Sequence, residues 1–98
     1  MALSVADEVA VLKAVAEPMR VKILHRLASA APEAVCVCDL TAPLGLTQPT
    51  VSYHLRVLRQ AGLVDRDRRA SFAYYSLRPG ALEHLGMLLG GVRAGASS

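Results

Sequence analysis

Residues 47–64, "TQPTVSYHLRVLRQAGLV", contain the beginning, the body and the end of one short helix. Thr47 suits the N-cap position, and Gly62 is a typical C-terminal stop. Between them, apolar side chains recur at spacings of four and three, as on the buried face of an amphipathic helix: Val51, Leu55 and Leu58. The segment predicts a helix from about residue 48 to residue 61 with one face in the core.

The flanking segments supply the other elements of the fold. Two helices precede it, the second starting at Pro18, and a short helical piece over about residues 38–44 ends at Gly45. After Gly62, "LVDR" and "SFAYYSL" flank the polar stretch "DRRA" and predict a β-hairpin, and a last helix starts near Pro79. The order α-α-α-α-β-β-α indicates a winged helix-turn-helix, a mainly α (α+β) fold.

Length and composition indicate one small globular domain, since the chain has 98 residues, of which 53% are apolar. We expect this domain to span residues 1–91 and residues 92–98 to form a disordered tail. A small domain this apolar has more apolar surface than one copy hides easily, which favours a dimer. The first and last helices carry apolar stripes: Val5, Val9, Leu12 and Ala16 on one, and Leu82, Leu85, Leu89 and Val92 on the other.

Both cysteines, Cys36 and Cys38, lie in "VCVCDL". No apolar run approaches the about 20 residues of a membrane span, and the N-terminus lacks the basic start of a secretory signal. We therefore expect a cytoplasmic protein without membrane contact, whose thiols stay reduced. A structural disulfide is not expected, because a C-x-C bridge closes a short, strained ring. A metal or metalloid site, a redox pair and two buried apolar residues are the open interpretations.

Positive charge is concentrated in residues 56–78, which hold six arginines against two aspartates. Guanidinium groups match phosphate oxygens, although a solvated basic face has the same composition. In a helix-turn-helix, the N-terminal half of the second helix enters the DNA major groove. Gln48 is suited to an adenine edge there, and Arg56 to phosphate. The predicted DNA-binding set is Gln48, Thr50, Ser52, Tyr53, His54 and Arg56 on the helix, with Arg66, Arg68 and Arg69 on the hairpin. For His54, a local hydrogen bond is an equal alternative.

Three stretches resemble the ArsR/SmtB metalloregulatory repressors: "LKAVAEPMRVKILHRLA", "VCVCDL" and "GLTQPTVSYHLRVLRQAGLVDRDRRASFAYYSL", covering about residues 10–90. The resemblance implies a homodimer, joined by its first and last helices, that binds operator DNA and releases it when a metal or metalloid ion binds. Cys36 and Cys38 match the paired thiols of the arsenic-responsive subgroup. That subgroup has a third cysteine where this chain has Thr41. The zinc-sensing pattern on the last helix is incomplete, since that helix offers only Glu83 and His84.

The spacing of the two thiols has a structural consequence. The side chains of residues i and i+2 of a helix point about 200° apart, so Cys36 and Cys38 can coordinate the same ion only where the backbone is not helical. We expect the resulting distortion to pass through Asp39 and the turn at Thr47 to the DNA-reading helix. Thiolates favour arsenic(III), antimony(III), cadmium(II) or lead(II) over magnesium or calcium, and softness does not choose among these four. The resemblance to the arsenic-responsive subgroup implies arsenite or antimonite as the leading inducer, and no catalytic cofactor is expected.

Three other functions are compatible with parts of the sequence. A repressor of the same fold can use the two thiols to sense oxidants or electrophiles. A small thiol enzyme is disfavoured, because C-x-x-C, a phosphate-cradling loop and a basic partner for a thiol are all missing. A winged-helix module without DNA binding is disfavoured by the polar helix face and the arginine-rich hairpin. A two-fold dimer predicts an imperfect palindrome as operator.

Overall fold

The computed structural model describes residues 5–88 of the chain. Its helices are α1 (Val5–Val15), α2 (Pro18–Ala30), a 3-10 helix (Val37–Asp39), α3 (Thr41–Leu44), α4 (Gln48–Gln60) and α5, which is helical over residues 81–88. Its strands are β1 (Val35–Cys36), β2 (Val64–Arg69) and β3 (Phe72–Leu77). This is the predicted winged helix-turn-helix, with one strand and one 3-10 helix more than the sequence indicated.

The core is aliphatic and centred on α4. Its predicted stripe of Val51, Leu55 and Leu58 is completely buried. The core side chains packed around this stripe are Ile23 and Leu27 from α2, Leu40 before α3, and Leu63 and Val64 at the start of the hairpin. Complete burial of a leucine side chain contributes about 1.5–3 kcal/mol, so this cluster fixes the orientation of α4 against α2 and the hairpin.

Two glycines end the helices of the helix-turn-helix. Gly45 follows α3 with φ of 65°, and Gly62 follows the C-cap residue of α4 with φ of 80°. Only glycine adopts this left-handed region without cost, which agrees with the predicted ends at both positions. Thr47 is the N-cap residue of α4 as predicted, although its hydroxyl pairs with Thr50 Oγ1 at 3.0 Å and not with the helix backbone.

The sheet has three antiparallel strands in the order β1-β3-β2. The hairpin of β2 and β3 was predicted, but its turn is tighter than expected: β2 runs through Arg69, and only Ala70 and Ser71 lie between the strands. Strand β1 was missed, because two residues are too few to show a period of two. It pairs Val35 with Tyr75 and Cys36 with Tyr74. The segment around the cysteines therefore belongs to the same sheet as the hairpin of β2 and β3, which is the wing. We call this three-stranded sheet the wing sheet.

The apolar stripe predicted on the first helix faces solvent in the single chain. Val5 is 75% exposed, and Val9 and Leu12 are also exposed, whereas Val11 and Ala14 pack into the core. On α5, Ala81 is buried, but Leu82 and Met87 are exposed. The first and last helices thus both present apolar side chains on the outside of this fold. Leu89 and Val92 of the predicted second stripe lie outside the described residues.

Within residues 5–88, no helix is long and apolar enough to cross a membrane. The described chain falls inside the domain predicted over residues 1–91. The predicted tail over residues 92–98 lies outside the described residues.

Candidate thiol site and nucleic-acid interface

The two cysteines lie at the junction between β1 and the 3-10 helix. Cys36 ends β1 and is 3% exposed, whereas Cys38, within the 3-10 helix, faces solvent. The structure joins their Sγ atoms in a disulfide. The expectation of an unbridged pair was therefore wrong for this structure. A C-x-C bridge was expected to be strained, but the extended backbone at Cys36, followed by a 3-10 turn, brings both sulfurs to the same side.

The backbone at Cys36 explains how both sulfurs meet. Cys36 is extended, with φ of −66° and ψ of 138°, and its Sγ accepts a hydrogen bond from the backbone N–H of Cys38 at 3.3 Å. The two Cα atoms are 5.2 Å apart. In a regular helix, the two side chains would point in nearly opposite directions. The predicted non-helical backbone is present, and it turns a C-x-C spacing into a two-sulfur cluster.

One further donor lies close to the two sulfurs. A carboxylate oxygen of Asp39 and the Sγ atoms of Cys36 and Cys38 all lie within 4.8 Å of one another. Thr41 offers no third ligand of comparable softness, because its side chain is a hydroxyl, and Oγ1 donates to the carbonyl oxygen of Cys38 at 3.2 Å. Once the thiols are reduced, this cluster, hereafter the thiol site, offers two soft ligands and one hard one.

A cleft between α4 and the hairpin collects much of the predicted DNA-binding set. Its volume is about 300 Å³, and polar and basic side chains from both elements line it: Gln48, Ser52, Arg56, Arg66 and Arg68, together with Arg59 and Ser71. Arg66 and Arg68 share one face of β2 because strand side chains alternate. We call this cleft the basic cleft. Sequence reasoning missed Arg59 as part of it, although its spacing of three from Arg56 places both on one side of α4.

The remaining residues of the predicted set lie elsewhere. Arg69 points to the opposite face of β2, where its Nε donates to Asp67 Oδ2 at 3.0 Å and its guanidinium lies 4.7 Å from the Tyr74 ring centroid. Thr50 is exposed at the start of α4. Tyr53 is half exposed, with the guanidinium of Arg56 5.6 Å from its ring centroid. The structure therefore does not bring Arg69 together with Arg66 and Arg68.

His54 has partners inside the protein. Its side chain is 12% exposed, and Nδ1 lies 3.1 Å from Nη1 of Arg20 and 3.7 Å from Oε2 of Glu17. Nδ1 accepts from Arg20, because a guanidinium has no acceptor. Arg20 also donates through Nε to the carbonyl oxygen of Ala14 at 2.5 Å. The local hydrogen bond, one of the two interpretations of His54, is present and ties α4 to α2 and to the end of α1.

Glu17 begins α2 as its N-cap, and its Oε2 accepts from the backbone N–H of Arg20 at 2.8 Å. Burial opposes the charged form of this carboxylate. Hydrogen bonds from the backbone N–H groups of Arg20 and Met19 outweigh that effect, together with the positive charges of Arg20 and of the protonated form of His54, so the pKa of Glu17 lies below its ordinary value. The capping carboxylate is therefore ionised at neutral pH.

The middle residue of the C-x-C motif connects the two sites. Val37 lies between the cysteines, is buried in the core and also lines the basic cleft. The 3-10 helix that begins with Val37 packs against both α4 and β3. Val37 therefore provides a direct path of contacts from the thiol site to the basic cleft, shorter than the path through Asp39 and Thr47.

Comparison with known proteins agrees with this fold. Residues 17–66 match the family described as bacterial regulatory protein, arsR family. The match covers half of the chain, and the chain belongs to this family of regulators. A putative arsenical resistance operon repressor of Halobacterium salinarum is 42% identical over 72 residues, and an arsenical resistance operon repressor of Bacillus subtilis is 37% identical over 65 residues. These matches span 74% and 66% of this chain. The family and these relatives are regulators of transcription, not enzymes.

Solved structures of similar proteins cover nearly the whole chain. One described as a possible transcriptional regulator for arsenical resistance has a TM-score of 0.75 at 32% identity, over 90% of this chain and 95% of its own. A homodimeric winged helix-turn-helix DNA-binding domain from Mycobacterium bovis has a TM-score of 0.70 at 28% identity, over 95% of this chain and 81% of its own. The alignments with the two arsenical resistance repressors span only 60% of each relative's length.

Proposed function

We propose that this protein is a homodimeric transcriptional repressor that binds double-stranded operator DNA and releases it when a thiophilic ion binds the reduced thiol site. The observation that carries the proposal is the position of Val37, which separates the two cysteines and lines the basic cleft. In this proposal, the ion-binding cysteines and the DNA-binding cleft are coupled through one buried side chain, that of Val37.

DNA contact is assigned to α4 and to the two arginines of β2 that face it. Gln48, Thr50 and Ser52 at the N-terminal end of α4 are suited to base edges in the major groove. Arg56, Arg66 and Arg68, together with Arg59, line the basic cleft. Their guanidinium groups are suited to the oxygens of a phosphate backbone. Tyr53 is placed at the outer edge of α4. We assign a structural role to Arg69 and His54, because both contact other side chains of the protein.

The ion is assigned to Cys36 and Cys38, with the Asp39 carboxylate as a neighbouring oxygen donor. Thiolates bind soft ions in preference to magnesium or calcium, which favours arsenic(III) or antimony(III) and allows cadmium(II) or lead(II). The similarity to arsenical resistance repressors supports the first pair. No catalytic cofactor takes part, because the proposed function is binding and release.

Coupling between the two sites is assigned to the wing sheet and the 3-10 helix. Cys36 belongs to β1, which is hydrogen-bonded to β3, and Val37 packs where α4 and β3 meet. Rearranging the cysteines around an ion shifts this junction and changes the spacing of Arg56 and Arg66 across the cleft. A coupling free energy of about 1–3 kcal/mol is sufficient for a 5- to 150-fold change in DNA affinity.

Dimerisation is assigned to α1 and α5, where apolar side chains including Val5, Val9, Leu82 and Met87 are exposed. The homodimeric Mycobacterium bovis domain supports this arrangement. A two-fold dimer reads an imperfect palindrome with half-sites about one helical turn apart. The protein then acts in the cytoplasm, where the operator and the reduced thiols are found together.

Fluorescence anisotropy of the protein's own promoter DNA tests this function. We expect tight, salt-dependent binding that arsenite or antimonite reverses at ion concentrations near that of the protein. Magnesium serves as the control ion and should have no effect. Failure of every thiophilic ion to release bound DNA would remove the sensing part of the proposal, and failure to bind DNA would remove all of it.

The disulfide between Cys36 and Cys38 favours a second function, a repressor that senses oxidants. Two thiols and one molecule of hydrogen peroxide give the disulfide and two molecules of water, with sulfur oxidised and peroxide reduced. Counting free thiols while DNA release is followed separates the two functions. If the protein senses oxidants, DNA is released as two free thiols per chain are lost. If it senses ions, DNA is released but both free thiols are counted again after the ion has been removed by a chelator.

A further inference from the structure

A second concave surface lies beside the thiol site, between α2 and α3. It has a volume of about 710 Å³ and is open to solvent. Three basic side chains on one face of α2 form one wall of the surface: Lys22, His25 and Arg26. Pro43 and Leu44 of α3 form part of the opposite wall. At one end, the surface reaches Asp39. We call it the α2–α3 groove.

The basic side chains of the groove have no partners within residues 5–88. Lys22, His25 and Arg26 are exposed and form no hydrogen bond or ion pair with the described residues. Their spacing of three and four places them side by side on α2. Three unpaired basic groups above an apolar floor fit a small anionic molecule with a short aliphatic part.

Asp39 connects this groove to the thiol site. Its carboxylate lies within 4.8 Å of both sulfurs, and the same residue lines the groove. Cys38 is exposed next to it. A molecule held in the groove by Lys22 and Arg26 can therefore extend a side group toward the two sulfurs.

The thiol site lacks a third soft ligand among the described residues. Asp39 offers a hard oxygen, and the Thr41 hydroxyl donates to the carbonyl of Cys38. Arsenic(III) is thiophilic and has three hydroxyl groups to exchange as arsenous acid, so two cysteines leave one position for a further thiol.

We propose that the α2–α3 groove binds a low-molecular-weight thiol that carries a carboxylate, and that its sulfur completes the set of ligands at the thiol site. This inference rests on the proposed ion-sensing function. In the exchange, arsenous acid and three thiols (Cys36, Cys38 and the small thiol) form three As–S bonds. Three As–O bonds break, and the three thiol protons leave with the hydroxyl groups as three molecules of water.

Calorimetric titration of arsenite into the reduced protein tests the inference, using two thiols that differ only in charge. N-Acetylcysteine carries a carboxylate, and N-acetylcysteine amide is neutral. We expect arsenite to bind roughly 3- to 10-fold more tightly with the acid than with the amide, as expected for contact with two exposed cations. The advantage should shrink as salt is added, because exposed charges are screened.

Two variants locate the effect. Lys22→Gln/Arg26→Gln should bind arsenite equally well with either thiol and should retain the wild-type affinity measured with the amide. Lys13→Gln, which removes an exposed lysine from α1 outside the groove, should keep the preference for the acid. Equal affinity for arsenite with both thiols in the wild type would overturn the groove inference and leave ion sensing intact. Absence of arsenite binding with either thiol would instead overturn the proposed function and this inference with it.

Discussion

Cys36 lies directly opposite Tyr74 in the register of β1 and β3, and the same Tyr74 ring carries the guanidinium of Arg69. The thiol site and the wing are therefore adjacent parts of one sheet. Because β3 also pairs with β2 along its full length, two ladders of hydrogen bonds connect β1 with Arg66 and Arg68.

Val37→Ala should weaken the coupling between the thiol site and the basic cleft. Removing two methyl groups from this buried side chain loosens the contact of the 3-10 helix with α4 and β3. We expect arsenite to bind with nearly unchanged affinity but to reduce DNA affinity by a smaller factor than in the wild type. Anisotropy with and without arsenite measures that factor. Val35→Ala is the control, because Val35 lies on the same segment but is only half-buried and does not line the cleft, so arsenite should reduce its DNA affinity by the wild-type factor. If arsenite reduced the DNA affinity of Val37→Ala and wild type by the same factor, coupling through Val37 would be contradicted.

Arg66→Ala and Arg68→Ala should each weaken DNA binding and reduce its dependence on salt. One lost phosphate contact lowers the slope of log K against log salt by about 0.9. Arg69→Ala is the matched control, because Arg69 lies on the other face of β2 and pairs with Asp67. The comparison is a salt titration of DNA affinity for the three variants. If Arg69→Ala changed the slope of log K against log salt as much as Arg66→Ala does, the face of β2 on which an arginine lies would not determine whether it contacts DNA.

Arg20→Met should destabilise the fold and lower DNA affinity. The change removes the donors to the Ala14 carbonyl and to His54, so the orientation of α4 loses its tie to α2. Loss of partly buried hydrogen bonds of a charged group costs about 1–3 kcal/mol. Denaturant unfolding at fixed protein concentration gives the free energy. Arg26→Met, on the same helix but without a partner among the described residues, is the control and should change it by less than about 0.5 kcal/mol.

Glu17→Gln should remove a pH-dependent part of the stability. The pKa of Glu17 is lower in the folded protein than in the unfolded chain, so its ionised form stabilises the fold above the ordinary glutamate pKa of 4.5. That contribution is lost as pH falls through the lower folded value. The wild type should therefore be more stable than the variant at pH 7, and the difference should shrink once the pH falls below 4.5 and through the lower folded pKa of Glu17. A difference in unfolding free energy that stays constant from pH 7 to pH 3 would contradict the role of this carboxylate.

The elements with a clear period were predictable from the sequence. The stripe of α4, the two glycine stops and the hairpin follow from local propensity and spacing, which need no knowledge of the tertiary structure. Strand β1 was not predictable in this way. Two residues have no period, and Val35 and Cys36 become a strand only because β3 is present to pair with them.

The site was predictable in its residue types and less so in its arrangement. Cys36 and Cys38 were predicted as candidate ligands from spacing and softness, but their junction with the basic cleft through Val37 depends on tertiary packing. The three wing arginines looked equivalent in "DRDRRAS", and strand alternation then separated Arg69 from the other two. His54 presented two interpretations in the sequence, and its local hydrogen bond depends on the position of α2, which the sequence does not show.

Release of promoter DNA from the Cys36→Ser/Cys38→Ser variant tests whether the thiol site controls DNA binding by α4 and the hairpin. The reduced variant and wild type are bound to the same duplex, and anisotropy is followed as arsenite is added. We expect equal DNA affinity without the ion. Arsenite should release the wild type, whereas the variant should stay bound up to at least a tenfold higher arsenite concentration, which corresponds to about 1.4 kcal/mol. Release of both proteins at the same arsenite concentration would contradict control of DNA binding by the thiol site.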